Sequence, residues 1–208
     1  VVLAELGPGR GTLLADALRA ARAQPDFVDA VRVHLVETSP FLKKRQRSTL
    51  AARHPKLTVQ WHDRLKDVPA SGPMLLIANE FFDALPIRQY VRTGEGWQER
   101  RIGLHPDGSG FAFVLEKARG ADLPEGLACG TLMEVCPEGV ALARTIGDRV
   151  TRCGGAALVI DYGYWPSVPG ESLQSVRRHA FHDVLDRPGE ADLTAHVDFA
   201  ALITAAES

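Results

Sequence analysis

The chain opens on an apolar run that meets an acid and then three glycines at alternate positions, Val1-Val2-Leu3-Ala4-Glu5-Leu6-Gly7-Pro8-Gly9-Arg10-Gly11. An unbroken apolar segment followed at once by residues that permit positive φ predicts a strand buried on both faces that turns sharply into a helix. Such a strand belongs inside a parallel sheet covered by helices, where ligands bind in the crevice at the carboxyl ends of the strands. With no Cβ at Gly7, Gly9 or Gly11 the backbone can approach a ligand closely, and a helix N-terminus follows. The junction predicts a nucleotide-cofactor site formed by Glu5, Gly7, Pro8, Gly9 and Gly11.

Spacing separates the candidate cofactors. Dinucleotide folds favour G-x-G-x-x-G beside a pyrophosphate, whereas this turn reads G-x-G-x-G with an acid two residues ahead of it. Glu5 would repel a pyrophosphate and suits a cationic group, such as the amino-acid end of S-adenosylmethionine. The turn therefore favours a methyltransferase over a nicotinamide-dependent oxidoreductase.

Downstream the pattern alternates. Leu13, Leu14, Ala17, Leu18 and Ala21 repeat at helical spacing up to Pro25, with Thr12 as the expected cap. Strands are expected over 31–36, 57–61, 73–78 and 156–161, and helices after Ser39-Pro40 and over roughly 138–152. This is an α/β order with a mostly parallel sheet. Residues 86–116 break the rhythm with short alternating runs between Gly, Pro and Asp turns, and predict an antiparallel β meander inserted in a single domain spanning 1–208.

Composition narrows the function classes. A chain of 208 residues with 45% hydrophobic and 24% charged residues is an ordinary globular domain, and a net charge of −2 leaves no footprint for nucleic acid. The basic run Lys43-Lys44-Arg45-Gln46-Arg47 reads as the solvated face of a helix. Cys129, Cys136 and Cys153 lack C-x-x-C spacing and fit a reducing compartment. No apolar stretch is long enough for membrane insertion and no signal peptide is evident, which points to the cytoplasm. A core strand at residue 1, without an initiator Met, and a helical run at 198–206 predict a fragment truncated at both ends.

Polar residues close the predicted strands. Glu37, after the second strand, is placed to accept both ribose hydroxyls of an adenosine, with Thr38 beside it; the alternative is a helix-capping acid. Asp63, after the third, either accepts the adenine amino group or is a plain loop acid. After the fourth comes Asn79-Glu80-Phe81-Phe82-Asp83-Ala84-Leu85-Pro86, two carboxylates and an amide around an aromatic pair. Glu80, helped by Asp83, is the expected catalytic group, holding a guanidinium or amine by charge-assisted hydrogen bonds. Asn79 falls to the cofactor and Phe82 to the substrate. The competing reading has Asn79 and Asp83 capping a following helix while the phenylalanines fill the core. Asp161 and Tyr162, after the fifth strand, either line the acceptor pocket or pack a turn. The polar stretches 177–183 and 189–198 carry no metal-ligand spacing, and no metal site is expected.

Taken in order, Glu5-Leu6-Gly7-Pro8-Gly9-Arg10-Gly11-Thr12, the 79–86 segment, Asp161-Tyr162-Gly163 and Ala191-Asp192-Leu193-Thr194-Ala195-His196-Val197-Asp198-Phe199 give the chain a likeness that covers nearly its whole length. It resembles the MidA family of class I S-adenosylmethionine-dependent methyltransferases. The resemblance implies a Rossmann-like, seven-stranded methyltransferase sheet with Gly7, Gly9 and Gly11 under the cofactor and Glu37 on its ribose. It implies protein-arginine methylation on a respiratory complex I type subunit, in the bacterial cytoplasm or, in a eukaryote, the mitochondrial matrix. Family members also carry an upstream segment with Gly-Asp-Phe and Pro-Glu motifs and continue past the last helix read here. The rival from another class is a non-catalytic assembly protein that keeps the fold and uses the 86–116 meander as its surface.

Overall fold

The computed structural model describes residues 1–120, 122–178 and 180–208, so His179 of the 177–183 stretch lies outside the described residues. They fall into two compact units: Val1–Phe82 with Ala143–Asp161 and Ala206–Ser208, and Asp83–Leu142 with Tyr162–Ala205.

The first unit is built on β1 (Val2–Leu6), α1 (Thr12–Ala20), α2 (Pro25–Ala30), β2 (Arg32–Val36), α3 (Pro40–Arg53), β3 (Val59–His62) and β4 (Met74–Asn79). Its fifth strand comes much later in the chain, as β9 (Gly155–Ile160). All pair in parallel in the order β3-β2-β1-β4-β9. Strand order reverses beside β1, which is flanked by β2 and β4, and this is the switch point at which open α/β sheets bind ligands. On one face Leu3, Val33 and Leu35 pack with Leu14, Ala15 and Leu18 of α1 and Leu50 of α3.

Several expectations are refined. Thr12 is the first helical residue rather than the cap; Gly11, at φ 74°, holds the cap position, and no side chain caps the helix. Beyond Ala20 the apolar periodicity breaks into a 3₁₀ turn, Ala21–Ala23, and the separate helix α2, which uses Pro25 at its first position. Ser39 does cap α3, its Oγ accepting the Leu42 N–H at 3.3 Å. Among the described residues the strand read as a fifth core strand lies at the edge of the sheet: β9 pairs with β4, and Leu158 and Ile160 are exposed.

The second unit holds the expected antiparallel strands β5 (Arg88–Thr93), β6 (Gly96–Leu104) and β7 (Phe111–Lys117). They form a sheet of their own, completed by β8 (Leu132–Val135) against β5, in the order β7-β6-β5-β8. The helix α4 (Pro137–Cys153) starts in this unit and ends in the first. Short strands follow: β10 (Gly163–Tyr164) parallel to β14 (Val197–Asp198), and β11 (Gln174–Arg177) between β12 (Ala180–His182) and β13 (Asp192–Thr194). Helix α5 (Phe199–Ala206) closes the chain.

Close approach of β9 to β4 depends on Gly155. At φ 119°, a Cβ there would lie 1.9 Å from the Met74 carbonyl oxygen, a backbone atom that cannot rotate away. Gly155→Ala is expected to cost about 2 kcal/mol or more, read as a lowered urea midpoint with unchanged slope.

Candidate active site

The polar groups at the carboxyl ends of β1, β2 and β4 are set by parallel register: Leu6 lies beside both Val36 and Ala78. Gly7, Gly9 and Gly11 have φ of 57°, 52° and 74°, so all three use the left-handed region that favours glycine. Gly7 donates its N–H to Val36 O at 3.0 Å and Gly11 donates to Pro8 O at 2.7 Å, which ties the turn to the end of β2 and closes it on itself. Pro8 is buried beneath the turn. A Cβ on Gly7 would meet the Phe81 ring at 2.7 Å, whereas one on Gly9 would meet nothing within 4 Å. Gly7 is thus required by packing, and Gly9 faces open space.

Glu5 is only 3% exposed, and its Oε2 is buried without a hydrogen-bond partner among the described residues. Burial pushes its carboxyl up to about 7 from an ordinary 4.5. Glu37, also buried, is better provided for. Its Oε1 accepts the Ser39 N–H at 2.8 Å and its Oε2 accepts Gln46 Nε2 at 3.0 Å. Thr38 is exposed beside it. Asp63 lies in solvent in an ion pair with Lys43 at 2.6 Å, which holds its carboxyl below the usual range. Its neighbour His62 shares a 2.9 Å hydrogen bond with His34, the rings stacked at 5.2 Å. Burial above all keeps both imidazoles neutral to lower pH than usual.

At the end of β4, Asn79 is half-buried and Glu80 is exposed. Glu80 has φ 46°, unusual for a residue with a side chain, and its N–H is anchored on Ile160 O at 2.8 Å. Strained backbone of this kind concentrates at functional sites. Phe82 is buried, edge-to-face with the half-buried Phe81, so its ring serves packing. Asp161 accepts the Phe82 N–H at 3.0 Å and pins the loop after β4. No helix follows that loop; the chain runs on to β5, so the helix-capping alternative for Asn79 and Asp83 does not apply.

In the second unit the Tyr162 hydroxyl donates to Asp83 Oδ2 at 2.6 Å, and the Tyr162 ring meets His196 edge-on at 5.6 Å. Asp83 is buried, while Tyr162 keeps 38% of its surface. The sequence grouped Asp83 with Glu80; the fold pairs it with Tyr162.

Gln46 and its partner Trp61 carry no motif signal yet belong to the first unit's site. Gln46 is fully buried, although it sits in the basic run read as a solvated face. Its Nε2 also donates to Gly9 O at 2.9 Å, and its Oε1 accepts the Trp61 indole N–H at 2.9 Å. The available signal was helical spacing, since Gln46 and Leu50 are four apart and both are buried.

The whole chain, residues 1–208, matches the family model described as "Putative S-adenosyl-L-methionine-dependent methyltransferase". The chain belongs to this family. It is 34% identical over 229 residues to the mitochondrial protein arginine methyltransferase NDUFAF7 of Danio rerio, covering 96% of this chain and 52% of that protein. The Mus musculus protein of the same name is 37% identical over 225 residues, with 96% and 51% covered. A COG1565 superfamily member from Burkholderia thailandensis, crystallised with S-adenosyl-homocysteine, superposes with a TM-score of 0.80 at 30% identity, over 99% of this chain and 55% of that one. The chain spans about half the length of the curated relatives it matches. Family and fold agree with the α/β methyltransferase class expected from the glycine turn and the motif resemblance.

The isolated carboxyl of Glu5 has a pH signature. Its folded-state value lies above the unfolded one, so its contribution is intact below about pH 4.5 and is lost as pH rises through about 7. Glu5→Gln is expected to stabilise the protein at pH 8 by about 1–3 kcal/mol and by almost nothing at pH 4.5, from urea midpoints at the two pH values.

Proposed function

We propose that this chain forms the cofactor-binding part of an S-adenosyl-L-methionine-dependent methyltransferase that N-methylates arginine on a protein, with a respiratory complex I type subunit as substrate. The observation that carries the reading is the β1 switch point. There a buried acid with one unpartnered oxygen, three positive-φ glycines and a buried, hydrogen-bonded Glu37 lie at the aligned carboxyl ends of β1 and β2, in a chain whose solved relative was crystallised with S-adenosyl-homocysteine. The relatives named as arginine methyltransferases support the acceptor class.

These residues fit the cofactor. Each Glu37 oxygen accepts one protein donor and retains a lone pair for a ribose hydroxyl. Glu5 Oε2 offers a carboxylate to a cationic amino group, and the pairing would draw its carboxyl back to the ionised state. Gly9 leaves room for close approach. When bound, the cofactor's sulfonium supplies a methyl group activated for transfer to a nucleophile.

The chain's own contribution is orientation and charge. Glu80, on the strained backbone after β4, holds the guanidinium by charge-assisted hydrogen bonds and aims one nitrogen. Tyr162 orients the Asp83 carboxylate through its hydroxyl. This role belongs in the cytoplasm of a bacterium or the mitochondrial matrix of a eukaryote; no helix among the described residues is long and apolar enough to cross a membrane.

One observation favours the assembly-protein reading as the second. The hairpin of β6 and β7 exposes Ile102, Leu104, Phe111, Phe113 and Leu115, with Ile102 paired to Phe113 and Leu104 to Phe111. Such a patch is suited to a protein partner.

In the complete protein, Glu80→Gln is expected to lower kcat at least about 100-fold while S-adenosyl-homocysteine affinity stays within about twofold by calorimetry. Full turnover by this variant would remove Glu80 from the reaction. Capture of a respiratory subunit by a variant that no longer binds S-adenosyl-homocysteine would favour the assembly role.

A further inference from the structure

The carboxylate assigned to the ribose and the glycine turn are not independent parts. Both are held by one side chain, Gln46, from the middle of α3. Its Nε2 spends one hydrogen on Gly9 O at 2.9 Å and the other on Glu37 Oε2 at 3.0 Å. An amide has only two donor hydrogens, so both are used. Its Oε1 accepts the Trp61 indole N–H at 2.9 Å. Indole nitrogen only donates, so this bond fixes which end of the amide faces the crevice: a flipped amide would set two donors against each other and leave Gly9 O and Glu37 Oε2 facing an acceptor. Gln46 is fully buried, so none of these bonds is exchanged for water. Gly11 packs on the same side chain, with ordinary contacts of 3.5–3.6 Å from its Cβ position. The Arg47 guanidinium lies 4.5 Å from the Trp61 ring centroid and covers the ring's outer side.

We propose that Gln46, oriented by Trp61, is the positioning residue that sets the Glu37 carboxylate against the glycine turn and so gives the crevice its preference for a ribose over a deoxyribose. This rests on the reading of the crevice as a site for S-adenosyl-L-methionine. Gln46 touches no ligand in this scheme. It spans two groups that would, one beneath the adenosine and one at its hydroxyls, and fixes their separation. Loss of the amide frees Glu37 to turn toward Ser39 alone, and the carboxylate then no longer presents both oxygens at fixed places.

The test uses the complete protein and calorimetric titration with S-adenosyl-homocysteine and its 2′-deoxy analogue, with thermal unfolding in parallel. Gln46→Met keeps the shape and removes the amide; Trp61→Phe keeps an aromatic ring and removes the indole N–H together with one ring of the bicycle. Gln46→Met is expected to weaken S-adenosyl-homocysteine binding about 10- to 100-fold while weakening the deoxy analogue much less, collapsing the wild-type preference. Trp61→Phe should shift the same ratio in the same direction by a smaller factor, about 3- to 10-fold. With substrate, KM for the cofactor should rise while kcat changes little. If Gln46→Met lowers the melting temperature and weakens both ligands equally, or if both variants keep the wild-type ratio, Gln46 is only a packing residue and the proposal is wrong. If the wild-type protein binds neither ligand, the cofactor reading itself fails, a result distinct from a lost preference.

Discussion

Everything polar in the first unit hangs from the double parallel pairing of β1. Five consecutive residues, Val2 to Leu6, are registered against β2 on one side and β4 on the other, and each of the five is buried. A strand held along both edges cannot slip by one residue without turning every side chain to the opposite face. The ends of three strands are thereby locked level with one another. The glycine turn, Glu37 and the Asn79-Glu80 segment owe their common location to this register, and Gln46 then ties the turn to Glu37. The turn adds one bond of its own, from the Gly7 N–H to Val36 O, which carries the alignment one residue beyond the sheet.

The buried ionisable groups of this unit pull in opposite directions with pH. Glu5 lacks a partner for one oxygen and resists ionisation, so its burial becomes costlier as pH rises through about 7. His34 and His62 resist protonation, chiefly through burial and then, for His34, through its neighbour His62. Their folded values are depressed, so the stability they lend is present above the ordinary imidazole range and is lost as pH falls through the lowered values. Buried titratable groups that a fold could replace with leucine ask for a reason. For Glu5 the reason offered is a cationic ligand; for the histidine pair it is their mutual hydrogen bond and the stacking of their rings.

Much of this arrangement was legible in the sequence because short-range chemistry decided it. The glycine turn needs three residues that accept positive φ, and it has them; Ser39-Pro40 spells a helix start and makes one. What stayed hidden depended on partners far along the chain. Gln46 looks like one polar residue in a basic run, and only the fold shows that Lys43 is drawn to Asp63, Arg47 to Trp61, and Gln46 inward. Asp83 looked like a companion to Glu80 by adjacency, but its hydroxyl partner is 79 residues away. The joining of β8 to the meander, across the stretch that follows β7, likewise leaves no periodic trace. Burial of β9 differs for another reason: its apolar run, Ala156 to Ile160, reads as a core strand, and sequence does not reveal that one of its edges is paired among the described residues and the other is not.

The one-sided pairing of β9 among the described residues has a consequence for what the sheet can take on. Its outer edge carries a row of backbone donors and acceptors over six residues, flanked by the exposed side chains of Leu158 and Ile160. Backbone groups in a row along a strand pair with an extended segment that reaches them. The parallel sheet that fixes the glycine turn can therefore be extended at this edge by a further strand without disturbing the register of β1, β2 and β4.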